Sequence, residues 1–157
     1  DERIIPTVMK KNKILVDPFD DIIIVGIVTS LVDYQLAWHL NKMLKTNFVK
    51  CKDITSNSKD YFSFYLYDAG ENSNVFNLVA LSNKDKRWVS FSPQTDYLFI
   101  IRNYINEEKF QQYLTKIKSI SKVQHAYVID LEYNTKIDTS LAEVESHETD
   151  IINSSRF

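Results

Sequence analysis

At 157 residues the chain has the length of about one domain, at roughly 100–200 residues each. Hydrophobic residues make up 44% and charged residues 25%, globular proportions that exclude disorder throughout. The single cysteine, Cys51, excludes an internal disulfide and a four-cysteine zinc site, and two glycines are too few for a glycine-rich phosphate loop.

Before the first firm element, Lys13 to Val16 is read as a short edge strand closed by Asp17-Pro18. Ile22 to Val28 follows as a nearly continuous β-branched run, the pattern of a strand buried on both faces. Ser30 with Asp33 three residues later reads as an imperfect capping box opening a helix to Leu44 or Lys45. Val32, Leu36, Ala37, Leu40, Met43 and Leu44 share one arc of that helix and form its core face. Tyr34 and Trp38 lie on a neighbouring stripe.

Tyr61 to Tyr67 is aromatic enough for a strand, with Phe62, Phe64 and Leu66 on one face and Tyr61, Tyr65 and Tyr67 on the other. A hairpin loop over Asp68–Asn74 leads to a returning strand, Val75–Ser82. Asn83–Arg87 is a charged turn, Trp88–Phe91 a third short strand, and Tyr97–Ile101 another strand beyond Pro93. Asn106 caps a second helix whose Phe110, Tyr113, Leu114 and Ile117 form one buried stripe. Glu107 and Glu108 at its start and Lys116 and Lys118 at its end suit the helix dipole. Val123–Ile129 is the last strand.

The order predicts an α+β fold in which two helices pack on one face of a mostly antiparallel sheet, a ferredoxin-like βαββ(β)αβ plan. Residues 1–130 form the single domain and 131–157 an acidic C-terminal extension. From Asp130 onward seven acids face Lys136 and Arg156, whereas the remainder carries 17 basic and 14 acidic residues. Such a segment is a solvated tail or one that docks on a basic surface; docking is the expectation carried forward.

The far face of the sheet carries the functional expectation. Tyr65, Tyr67, His125 and Tyr127 are expected to point there, and a bare aromatic face is too large an apolar patch to leave in water. Together with Tyr34 and Trp38 they form a candidate interface for a second copy, since one patch pairs with itself across a two-fold axis. The runner-up is a single-stranded RNA site in which Lys42, Lys45, Lys50 and Lys52 contact phosphates beside Tyr34, Trp38 and Phe48. The isoelectric point of about 5.9 and the lack of an RNP-type string weigh against it.

Catalytic chemistry finds little footing. His39, His125 and His147 show no metal-ligand spacing and read as structural or surface histidines. Asp20-Asp21 and Glu107-Glu108 sit where caps and loops place acids. Cys51 between Lys50 and Lys52 has neighbours that favour a thiolate, which makes a cysteine-dependent enzyme the third and weakest reading. No catalytic, cofactor-binding or metal residue is assigned.

The stretch Ile24 to Leu44 resembles the opening of an uncharacterised bacterial family, found mainly in the Bacteroidetes and named for an I-P-E-x-x-x-V-D-Y motif. The resemblance rests on an apolar strand, Asp33-Tyr34, Trp38 and Leu40-Asn41, with Thr95-Asp96-Tyr97 and Val123-Gln124 in the expected order. The motif's I-P-E positions hold Val89, Ser90 and Phe91, and its valine position holds Thr95. This resemblance implies a small cytoplasmic bacterial protein and carries over no activity. Asp1–Lys13 lacks the apolar stretch of a signal peptide, and no run reaches the roughly 18 apolar residues of a membrane span. The expectation is thus a cytoplasmic, non-catalytic binding or assembly module, with a homodimer its foremost form.

Overall fold

A computed structural model describes residues 22–56, 59–70, 74–91, 93–103, 105–131 and 137–155. The expected strand at Lys13–Val16 and the pair Asp20-Asp21 lie outside these residues. Strand β1 (Ile22–Thr29) leads into helix α1 (Asp33–Leu44), then the short strands β2 (Val49–Lys50), β3 (Ile54–Thr55) and β4 (Tyr61–Phe62). Next come β5 (Phe64–Asp68), β6 (Val75–Ala80), the two-residue strands β7 (Ser82–Asn83) and β8 (Lys86–Arg87), and β9 (Tyr97–Arg102). Helix α2 (Glu107–Lys118), strand β10 (Val123–Val128) and helix α3 (Ile137–Ser155) complete the order. No described helix is long and apolar enough to cross a membrane.

The fold is α+β, built on a six-stranded antiparallel sheet in the order β10-β1-β9-β6-β5-β2. β1 is an interior strand paired on both sides, by β9 and β10, and its β-branched run is buried as the sequence pattern predicts. Gly26 in β1 lies opposite Tyr127, and a Cβ there would come within 2.9 Å of the tyrosine ring. Glycine is needed at this point so that the ring can lie flat across the strand. Asn106 caps α2 as expected, its Oδ1 accepting from the Lys109 N–H at 2.8 Å.

Two expectations for local structure need correction. Trp88–Phe91 is not a strand; β7 and β8 instead form a small hairpin just before it. The N-cap of α1 is Val32, not Ser30, and Val32 itself lies exposed rather than on the core arc. Gln35 Oε1 accepts from the Val32 N–H at 3.2 Å and supplies half of a capping box. The Asp33 carboxylate is free of that duty and turns toward the sheet.

Side-chain alternation along the strands sorts the core into two clusters, one on each face. Val25, Ile27, Tyr65, Phe76, Leu78, Phe99 and Ile101 face α1 and α2, which bury Leu36, Leu40, Phe110 and Ile117 against them. Ile24, Phe64, Val79, Leu98 and Ile100 face the opposite way, toward Ile137, Leu141 and Val144 of α3. The expectation of two helices on one face thus gives way to three helices among the described residues, with the third on the other face. The acidic run concealed it: the inward stripe Ile137, Leu141, Val144, Glu148, Ile151 keeps helical spacing but includes a carboxylate.

Arg102 at the end of β9 accounts for that carboxylate. Its Nε donates to Glu148 Oε2 at 2.9 Å and to Asn77 Oδ1 at 3.2 Å, and Nη1 donates to Glu145 Oε1 at 2.8 Å. The Arg102 and Glu148 side chains are each only 11% exposed. Asn77 Nδ2 and Arg102 Nη2 are buried without a partner among the described residues, at a cost of roughly 1–3 kcal/mol per group. The cluster therefore fixes where α3 sits more than it adds net stability. Arg102→Met should cost about 3–5 kcal/mol in urea unfolding, because Glu148 is left buried and unpaired. Arg102→Met combined with Glu148→Leu should recover most of that loss; a double variant as unstable as the single one would refute this account.

Candidate functional site

The structure disperses the six aromatic positions expected to form one interface. Tyr65, 5% exposed, and Tyr67 lie on the α1/α2 face, not on a bare one, so Tyr65 cannot belong to a contact surface. Tyr127 packs against the α3-side cluster and its hydroxyl lies 2.6 Å from Thr95 Oγ1. His125 stacks on Tyr127 with ring centroids 5.0 Å apart. Tyr34 and Trp38, 67% and 58% exposed on α1, remain open to solvent, and so does His125 on the edge strand β10. The alternation within each strand is as the sequence predicts; a strand read alone does not say which face each helix covers.

The four lysines likewise do not act as one patch. Lys42 Nζ sits 5.0 Å above the Trp38 ring, so a stacking base would have to displace it. Lys50 Nζ lies 3.3 Å from Asp33 Oδ2 and is already paired. Lys45 takes a left-handed conformation at the C-cap of α1. Lys52 borders the far side of the sheet, where its carbonyl lies 2.7 Å from His147 Nε2.

Asp33 and Asp96, each followed by tyrosine, hold the two ends of the α1 connection. The Tyr65 hydroxyl donates to Asp33 Oδ2 at 3.1 Å, and the Tyr97 hydroxyl donates to the Leu31 carbonyl at 2.8 Å. Asp96 Oδ2 accepts from the Thr29 N–H at 2.9 Å. Burial by itself would raise the Asp33 pKa, but hydrogen bonds from Ser63, Tyr65 and Lys50 outweigh it and hold the carboxyl below its ordinary value. Burial, then the Asp33 charge, pushes both tyrosine hydroxyls well above their usual range. These groups are thus held as structural partners, a carboxylate and two neutral phenols.

A concave feature lies elsewhere among the described residues, between α3 and residues 51–55, where the chain leaves the edge strand β2. It encloses about 940 Å³, near the upper end of the roughly 300–1,000 Å³ range of ligand sites. Cys51, Asp53 and Ile54 form one wall and Glu143, Ser146 and Asp150 of α3 contribute to the other. Ile54 and Phe64 tie this wall to the core, and the His147 ring stands edge-on to Phe64 with centroids 4.8 Å apart. The α3 contributors are hidden in the sequence because an acidic run reads as a charged tail. The usable signal was the helical spacing of Ile137, Leu141, Val144 and Ile151, which turns Glu143, Ser146 and Asp150 to another side.

The reactive residue types in this groove are held in unreactive arrangements. Burial pushes the Cys51 thiol above its ordinary pKa, opposite to the expectation from its lysine neighbours, and its Sγ lies 3.4 Å from the Val49 carbonyl. His147 Nε2 is committed to the Lys52 carbonyl. Among the described residues no group of three or more histidine, cysteine or acidic side chains has the arrangement to hold a metal ion. Comparison with protein-family models, curated proteins and solved structures gives no match.

Two outcomes follow. Because the Asp33 pKa is depressed, its contribution to stability is present above the unfolded value of 3.8 and is lost as pH falls through the folded value. Wild type should therefore melt above Asp33→Asn at neutral pH, and the gap should close below about pH 4; a gap unchanged at about pH 2 would contradict this. Iodoacetamide at neutral pH should alkylate Cys51 more slowly in the folded protein than in urea. Faster labelling of the folded form would restore the thiolate reading.

Proposed function

We propose that this protein is a non-catalytic binding module whose site is the groove between α3 and residues 51–55. The observation that carries this reading is the groove itself: a ligand-sized concavity whose thiol and imidazole are both turned away from chemistry. Ile54, Ile151 and Ala142 supply apolar surface there, and Asp53, Glu143, Asp150 and Lys52 supply charge. The free thiol of Cys51 fits a reducing cytoplasm. We also read the sheet as a ferredoxin-like plan widened by two strands; β10-β1-β9-β6 stand in the order that plan requires, and β5 and β2 extend the sheet beyond them.

Self-association, the foremost expectation from the sequence, becomes the second reading and runs through α1 rather than a sheet face. It is favoured by the exposed Tyr34 and Trp38, which lie one turn apart on the same side of the helix. Two rings per copy cover only a fraction of the roughly 1,200 Å² that a stable interface buries, so this contact alone supports a weak dimer. The RNA reading loses ground because Lys50 is paired and Lys42 occupies the Trp38 ring face.

Indole titrated into the ¹⁵N-labelled protein should shift the amides of Ile54, Ala142 and Ser146, and Ser146→Trp should abolish those shifts by filling the groove. Shifts confined to α1, or none, would overturn the groove reading. Light scattering at tens and hundreds of micromolar, on wild type and Trp38→Ala, tests the weak dimer separately.

A further inference from the structure

The groove has a length, a charge and a lining that together narrow its ligand. Its α3 wall runs from Thr139 to Ser154, 15 helical steps and therefore roughly 22 Å at 1.5 Å per step. That length accommodates about six residues of extended chain at 3.3 Å each, whereas a compact small molecule would fill only part of it. Along this wall Ala142 and Ser146 are small and exposed, which keeps the trough open between the acidic positions.

Charge on the lining is one-sided. Asp53 lies on one wall and Glu143 and Asp150 on the other, against the single ammonium of Lys52. Glu143 and Asp150 are two helical turns apart, about 10 Å, so cations spaced two or three residues along an extended chain each reach a carboxylate. Burial pushes the Glu143 pKa up, and among the described residues no cation pairs with it, unlike Glu145 and Glu148 on the same helix. An incoming ammonium or guanidinium would supply that missing partner. Ile54 and Ile151 provide apolar surface for the side chains in between.

We propose that the groove binds an extended peptide segment rich in lysine or arginine, a conclusion that rests on the groove being the binding site. Neither an anionic ligand nor a nucleic-acid backbone suits this lining, since three carboxylates would oppose its phosphates. Peptide affinity comes from cationic side chains on Asp53, Glu143 and Asp150, with intervening small apolar residues against Ile54 and Ile151.

The test uses the full chain and a fluorescein-labelled heptapeptide alternating lysine with threonine and valine, read by anisotropy and by ¹⁵N shift mapping. The lysine peptide should bind and shift Thr55, Ala142 and Ser146, and its glutamate counterpart should not. Asp53→Asn, Glu143→Gln and Asp150→Asn should each weaken binding by roughly two- to fivefold, the range of exposed ion pairs. Glu107→Gln, at the start of α2 and outside the groove, should leave it unchanged. Equal binding of the glutamate peptide, equal loss in Glu107→Gln, or spermidine binding as tightly as the peptide would overturn the proposal. If indole perturbs the groove and the lysine peptide does not, the peptide chemistry is wrong and the groove reading stands. If neither perturbs it, both fall.

Discussion

Everything on the second face of this sheet depends on Arg102. The guanidinium at the end of β9 is nearly buried, and such a cation is tolerable only with anionic partners close by. Glu145 and Glu148 of α3 are those partners, so the position and rotation of the helix are set by where two carboxylates must go. Apolar burial alone does not specify this, because the stripe Ile137, Leu141, Val144 would tolerate a helix displaced by a turn. An ion pair tolerates no such slip. The two nitrogens beside it that lack a partner among the described residues show that the arrangement has a cost, consistent with a contact that selects geometry over stability.

Once α3 is fixed, its acids divide by direction. Glu145 and Glu148 turn toward Arg102 and pair with it, while Glu143 and Asp150 line the groove beside residues 51–55. One acidic run thus anchors the helix and gives the site its charge. The groove lies between α3 and residues 51–55, which join β2 to β3. Covering both sheet faces also moves the candidate contact surfaces to the periphery, to this groove and to the outer stripe of α1.

The opposite face shows the same economy with different chemistry. Asp33 gives up the capping role and instead accepts from Tyr65 and Lys50, joining the start of α1 to β5 and β2. Gln35 takes over at the cap. This rearrangement explains how Tyr65 comes to be buried: its hydroxyl has a carboxylate to meet beneath the helix, which satisfies the polar end of an otherwise apolar ring.

By itself the sequence determined the α+β class, the buried β1, the two long helices α1 and α2 with their core stripes, the Asn106 cap and the alternation of β5. These are local matters, carried by side-chain period and by residues within a turn of one another. Only the tertiary structure decided which face each tyrosine joins, that both faces are covered, and that residues 137–155 form a helix with Glu148 buried. Tyr65 meets Asp33 across 32 positions and Arg102 meets Glu148 across 46. A carboxylate inside a helical stripe reads as a break in the pattern until its partner on a distant strand is known. The groove, made by residues near 53 and near 147, is legible only once those two segments stand side by side.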